Sequence, residues 1–305
     1  MKSRIIGPEA ESKLDWIALT EALRAGHALP RASITDTFLD RGPDTLLSRA
    51  AWIEGMGVLV KSATVFPGNK TSGTPSVNGA ATLFSDSDGT LDAIVDFHLL
   101  TKWKTAADSL LSARLLARPD SRVIVIVGAG HVAKSMIFAY RSVFPNAQII
   151  VWNRTMSAAA RLAEEVVGIT TTSNLEQAVR GADIVATCTM SKQPVVMGKW
   201  LRPGTHLDLI GAFTHDMREV DDTALQRARI FVDSRETTLG HIGELKIPLA
   251  SEAIAHDDVI ADFYDIGTGK FTRTDPDEIT IAKNGGGAHL DLMTARYILD
   301  SVRNK

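Results

Sequence analysis

The sequence predicts an α/β protein with a parallel sheet and interleaved helices in its second half, and an α+β region in its first. Three observations carry this. From Arg122 onward, short apolar runs alternate with helical stretches, the pattern of a parallel sheet. The first run, VIVIV at residues 123–127, is unbroken and β-branched, as a strand buried on both faces requires. Pro119-Asp120-Ser121 separates the halves with a cluster of turn-forming residues.

The elements follow in order. Residues 15–28, DWIALTEALRAGHA, carry apolar residues at helical spacing behind an Asp that can cap the helix. A polar, turn-rich stretch comes next. Residues 53–66 read as one or two strands. Residues 81–97 form a hairpin about the turn Asp86-Ser87-Asp88-Gly89. A helix is expected over 100–117. In the second half, strands are expected at 148–152, 183–189, 206–212 and 229–234. Helices fill most intervals, among them AAARLAEEV and LEQAV. The tail from His289 is amphipathic, lies beyond Gly285-Gly286-Gly287, and is expected to fold back on the first half. The domains expected are therefore residues 1–118, residues 119–287, and a returning helix over 288–305.

Bulk properties remove several function classes. The chain has 305 residues, of which 45% are hydrophobic, enough for a sizeable core. A net charge of -3 does not suit a nucleic-acid surface. The single cysteine, Cys188, allows no internal disulfide. No stretch of 18 uninterrupted apolar residues occurs, so no membrane span is expected. The first residues lack a long apolar run, so no secretory leader is expected and a cytoplasmic location is.

The strongest motif is GxGxxA at Gly128, Gly130 and Ala133, directly after the buried-type strand. The first glycine permits a tight turn, the second admits a pyrophosphate, and Ala133 keeps the helix close to the sheet. The helix N-terminus offers free N–H groups to phosphates. This is a Rossmann dinucleotide-binding signature. The second strand ends in Trp152-Asn153-Arg154-Thr155, where NAD-selective sites usually carry an acid. Arg154 can pair with a 2′-phosphate, with Asn153 and Thr155 as further donors; the alternative is a solvated arginine. NADPH is therefore the expected cofactor, with NADH able to substitute. Arg49, Lys61 and Lys104 stand out as a basic set able to hold a carboxylate, although each alone reads equally as a solvated or snorkelling side chain. No metal-ligand spacing occurs, and His241 and Glu244 in GHIGE fit a turn better than a metal site.

With these residues in view, the chain resembles the ornithine cyclodeaminase and mu-crystallin family over nearly its full length. The ordered stretches LVKSATVFPGN, TLFSDSDGTLDAIVD, LLTKWKTAADS, VGAGHVA, ATCTMSKQPVV, LRPGTHLDLIGAFTHDMREVD, IFVDS and IGELK carry the likeness. The resemblance implies a Rossmann domain beside a discontinuous α+β domain for substrate binding and dimerisation, and hence a homodimer. It implies cofactor contacts from Gly128, Gly130, His131, Val132, Ala133, Asn153, Arg154, Thr155, Thr189 and Met190. It places the family's substrate arginine on Arg49, its active-site lysine on Lys61, and a second arginine on Lys104. Here lysine keeps the charge but loses the planar fork. The aspartate that handles the amino group in cyclodeaminases falls on Phe213, which can neither take a proton nor steer an ammonium.

The resemblance therefore points to the family's cyclic ketimine reductases, which reduce Δ1-pyrroline-2-carboxylate to L-proline and often the six-membered homologue to L-pipecolate. The partner expected is a small cyclic imino acid, with no nucleic acid and no membrane. The competing readings are an amino-acid dehydrogenase, a cyclodeaminase despite Phe213, and a non-catalytic crystallin-like protein that binds NADPH and a small ligand.

Overall fold

The computed structural model describes residues 4–303, the side chain of Lys70 excepted. It divides into two units, one of residues up to Lys104 together with those from Gly287 onward, the other Thr105–Gly286. In the first, strand β1 (Arg4–Ile6) leads to helix α1 (Trp16–His27). Asp15 caps α1 by accepting a hydrogen bond from Ala18 N at 2.8 Å. Strands β2 (Ser33–Arg41), β3 (Asp44–Ile53), β4 (Gly57–Val65), β5 (Val77–Phe84) and β6 (Leu91–Asp96) follow. The sheet order is β1-β6-β5-β4-β3-β2, antiparallel except for the β1–β6 pair.

The turn-rich reading of residues 29–52 is corrected here, since most of that stretch is β2 and β3. β2 is an edge strand exposed along nearly all its length. Without a buried face it has no apolar alternation to display. Helix α2 (Phe97–Leu116) corrects a second expectation. The units divide inside it, between Lys104 and Thr105, and not at 118/119. Pro119 ends a helix, but the partition follows contacts that no local punctuation encodes.

The second unit continues with β7 (Val123–Val127), α3 (His131–Val143), β8 (Gln148–Trp152), α4 (Met156–Glu165), β9 (Ile169–Thr171), α5 (Leu175–Gly181) and β10 (Ile184–Thr187). Then come β11 (His206–Leu209), α6 (Asp222–Gln226), β12 (Ala228–Val232), α7 (Arg235–Thr238), α8 (Gly243–Ala250), β13 (Val259–Ala261) and β14 (Ile279–Lys283). Every pairing in this sheet is parallel, in the order β13-β12-β14-β11-β10-β7-β8-β9. The order reverses between β7 and β10, the crevice where such sheets bind ligands beyond the carboxyl ends of their strands. Strands β9, β13 and β14 add to those expected, and β14 lies centrally between β11 and β12. All five of its residues are buried.

The last helix, α9 (Ala288–Arg303), packs within the first unit against α1 and strands β2 to β5. Tyr297 ties it to the start of α1 through a hydrogen bond from Asp15 N at 2.8 Å. Its residues 288–295 are all buried, and Asp291 is among them.

Candidate functional site

Lys61 and Arg49 face each other across the register of β4 and β3. Lys61 is 5% exposed and donates a hydrogen bond to Asp291 Oδ1 at 2.8 Å. Its ammonium lies 4.9 Å from the Phe97 ring centroid, a cation–π distance. Arg49 grips Asp36 with two hydrogen bonds, at 3.2 and 2.6 Å, and its Nη1 lies 3.7 Å from Asp291 Oδ2. Lys104, on α2, is also buried, and no carboxylate pairs with it among the described residues. Of the three basic residues picked from the sequence, Lys61 and Lys104 are buried and Arg49 is partly buried, and all three act on Asp291.

Burial lowers Lys61 from the usual lysine range; Asp291 opposes that effect, and Lys104 and Arg49 add to it. Burial would raise Asp291, but Lys61, Lys104 and Arg49 together hold it below the usual carboxylate range. His289 and His27, their rings 5.5 Å apart, are pushed down mainly by burial, His27 to about 4 and His289 well below its usual value. Both imidazoles are therefore neutral near pH 7.

Asp291 escaped the sequence reading. A signal existed: it shares a helix face with Ala295 and Ile298 at spacings of four and seven, both buried. A charged residue on such a face needs a partner.

In the second unit, Gly128 and Gly130 play different parts. Gly128 has φ +131, and a Cβ there would lie 2.8 Å from Cys188 Sγ and 2.9 Å from Cys188 O. Only glycine fits. Gly130 caps α3 with ordinary extended backbone, and a Cβ there would meet nothing within 4 Å. That open space beside free helix N–H groups fits a pyrophosphate. His131 and Val132 are exposed at the start of α3, and Ala133 is fully buried against the sheet. Asn153 Nδ2 donates to Thr155 O at 2.9 Å, closing the turn that leaves Arg154 exposed. These residues suit a nicotinamide dinucleotide, with Gly130 and the α3 N-terminus toward its phosphates and the turn after β8 toward its adenosine ribose.

Two further loops leave the carboxyl ends of β10 and β11, and one buried side chain ties them together. Glu219 Oε1 accepts from Thr189 N at 2.7 Å and Thr189 Oγ1 at 2.8 Å. Its Oε2 accepts from Gly211 N at 2.8 Å and Ala212 N at 3.2 Å. Met190 and Phe213, the next residues of these loops, are 72% and 59% exposed, as residues available to a ligand must be. Glu244 does not pair with His241, which is exposed; it accepts hydrogen bonds from Glu219 N and Val220 N. Lys283 ends β14 fully buried and donates to the carbonyls of Leu209, Ala212 and Asn284. Glu219 and Lys283 were not foreseen. Lys283 had a local signal, a β-branched run followed by Asn and three glycines, whereas Glu219 lies in a loop with none. Among the described residues, no group of three or more His, Cys, Asp or Glu could hold a metal, and no helix is long and apolar enough to cross a membrane.

A parallel sheet with a glycine turn at its switch point defines a dinucleotide-binding α/β protein. The chain belongs to the ornithine cyclodeaminase/mu-crystallin family, whose model matches residues 51–305. It is 54% identical over 296 residues to the Delta(1)-pyrroline-2-carboxylate reductase of Paracoccus denitrificans, covering 95% of this chain and 94% of that protein. Among solved structures, it is similar to the Thermococcus litoralis Delta(1)-pyrroline-2-carboxylate reductase in complex with NADH and L-proline. That match has a TM-score of 0.90 and 26% identity, and covers 98% of this chain and 97% of the other. An archaeal alanine dehydrogenase dimer with bound NAD matches with a TM-score of 0.90 and 28% identity, over 100% of this chain and 97% of the other.

Proposed function

We propose that the chain reduces Δ1-pyrroline-2-carboxylate to L-proline with a reduced nicotinamide dinucleotide, and accepts the six-membered Δ1-piperideine-2-carboxylate as well. The observation that carries this is the 54% identity to the Paracoccus reductase over 95% of the chain. The cationic cluster supports it, because buried Lys104 and partly buried Arg49 offer charge to a carboxylate. Lys61 is the residue we place at the reaction, with Arg49 and Lys104 holding the substrate carboxylate. A cyclic imine already holds its C=N bond, so its reduction needs a hydride, a proton and a held carboxylate. The nicotinamide supplies the hydride when bound. The residues of this chain supply orientation, which accounts for much of the rate in such a step.

A preference for NADPH over NADH is part of the proposal and rests on Arg154 and the absence of an acid after β8. A homodimer is also part of it. The edge strand β2 leaves Phe38 and Leu39 59% and 63% exposed, a surface that isolated proteins usually cover. The second reading is dehydrogenation of an acyclic amino acid, favoured by the likeness to the archaeal alanine dehydrogenase. Phe213 weighs against chemistry on a free amino group.

The test offers purified protein and NADPH to Δ1-pyrroline-2-carboxylate and follows the nicotinamide absorbance. Steady turnover is expected, with neither alanine oxidation nor ammonia release from ornithine at comparable rates. Absence of turnover above background overturns the proposal.

A further inference from the structure

Two of the three cations assigned to the substrate carboxylate already face a carboxylate of the chain itself. Asp291 is fully buried, bonds Lys61 at 2.8 Å and lies 3.7 Å from Arg49. Arg49 is shared with Asp36 at 2.6 Å. The charged groups of the cluster are Arg49 on β3, Lys61 on β4, Lys104 on α2, Asp36 on β2 and Asp291 on α9. His289 on α9 and His27 on α1 lie beside them as neutral rings. Among the described residues, three cations thus meet one buried carboxylate, Asp291, and one exposed carboxylate, Asp36, and Lys104 is the cation that no carboxylate pairs with.

The geometry points to Asp291 as a positioning residue: it fixes the Lys61 ammonium, steers Arg49, and leaves the cluster one positive charge in excess, matched to a ligand with a single carboxylate. This deepens the function proposed above and rests on its carboxylate-anchor reading. In a buried site a second carboxylate on the ligand would be desolvated without a partner, which is strongly unfavourable. The chain would therefore select on ligand charge through a residue that need not touch the ligand. Asp291 also keeps Lys61 protonated, since without that counter-ion burial, Lys104 and Arg49 all favour the neutral amine.

The test compares the full-length protein with Asp291→Asn, an isosteric change that removes the charge. Binding of pyrrole-2-carboxylate and pyrrole-2,5-dicarboxylate is measured by calorimetry at pH 6 and pH 9. The parent should prefer the monocarboxylate by about tenfold or more. In Asp291→Asn at pH 6 the affinity ratio should move toward the dicarboxylate by about tenfold. That gain should be smaller at pH 9 than at pH 6, because loss of the Asp291 charge favours the neutral Lys61 amine. The alkaline limb of the pH–rate profile should begin at lower pH than in the parent. An unchanged ratio with an unchanged alkaline limb overturns the inference. If Asp291→Asn does not fold, Asp291→Glu decides: the parent's ratio supports the inference, and a shift toward the dicarboxylate overturns it. Ligand binding that follows this charge rule in a protein that does not reduce Δ1-pyrroline-2-carboxylate would overturn the proposed function alone. Turnover without the charge rule would overturn this inference alone.

Discussion

Asp291 and Asp208 are the same residue type, each fully buried, one in each unit, and their surroundings push them in opposite directions. Burial favours the neutral acid in both. At Asp291 three cations overcome it and the carboxylate stays ionised. At Asp208 they do not: burial raises it to about 7, although Tyr140 donates to it at 2.5 Å and Asn284 at 2.6 Å. Glu244, nearby in the same unit, also rises to about 7, through burial and the neighbouring Glu219. The first unit thus holds a buried carboxylate ionised among cations. The second buries acids whose donors are its own backbone and side chains, and these hold loops in place. Burial alone does not decide whether such a group is held ionised or neutral; the partner list does.

The largest expected effect separates scaffold from site within the second unit. Gly128→Ala forces a Cβ into Cys188 at a backbone conformation closed to alanine. Strain and overpacking together should cost about 2–6 kcal/mol, much of a typical domain's stability. Gly130→Ala meets open space and should keep the parent's melting temperature while weakening cofactor binding by about tenfold or more, as a methyl enters the phosphate path. Thermal melts with and without cofactor check both. If the two variants behave alike, the division of labour between the glycines is wrong.

The next effect tests the first unit. Lys61→Ala leaves Asp291 buried with only Arg49 and Lys104 near it, which should destabilise by roughly 2–4 kcal/mol and sharply lower kcat/KM. Lys102→Ala breaks only the partly exposed pair with Glu11, a contact of about 0–1 kcal/mol, and should leave kcat/KM near the parent value. Equal, small losses in both would show that buried Lys61 contributes no more to catalysis or stability than Lys102 does.

Legibility in the sequence followed the same contrast. The parallel sheet was readable because its strands are buried on both faces and closed by glycines, as at Val123–Val127. β2 was not, because its residues face solvent and keep no period. Arg49, Lys61 and Lys104 were found as charges, and the likeness to a family arranged them. Asp291 was missed because its role depends on a partner far along the chain, Lys61 lying 230 positions before it, and Glu219 because it lies in a loop with no periodicity. Spacing in the sequence encodes periodicity, not such encounters.

A smaller effect reads the two buried acids through pH. Folded Asp208 keeps its proton to about pH 7, whereas in the unfolded chain it loses it near 4. Between these values the unfolded state binds fewer protons, so Asp208 makes stability fall as pH rises from about 4 to about 7. Asp291, held below its usual value, acts oppositely: its contribution is present above the unfolded value and is lost on acidification. Asp208→Asn should flatten the decline in melting temperature between pH 5 and 8 by roughly 2–6 °C, with the part owed to Glu244 remaining. Calorimetric scans across that range check it. A variant whose melting temperature declines as steeply as the parent's would show that Asp208 is ionised in the fold.

The smallest expected effect lies at the turn after β8, where the second unit meets solvent rather than burying charge. Arg154 is exposed, and Asn153 is engaged with Thr155 O, so the arginine is the strongest donor left for a 2′-phosphate. A buried charge-assisted contact would give a tenfold to hundredfold preference, on the order of 1.5–3 kcal/mol. Solvent screening reduces an exposed one, and a preference for NADPH of about twofold to tenfold is expected. Arg154→Ala should lower kcat/KM with NADPH by that factor and leave NADH nearly unchanged. The effect should also fade in high salt, because it is a screened surface interaction. A parent that favours NADH, or a variant in which both cofactors fall equally, would mean that the missing acid after β8 does not set cofactor choice. The contrast with Asp291 would then sharpen further, since the chain would select charge only where it excludes water.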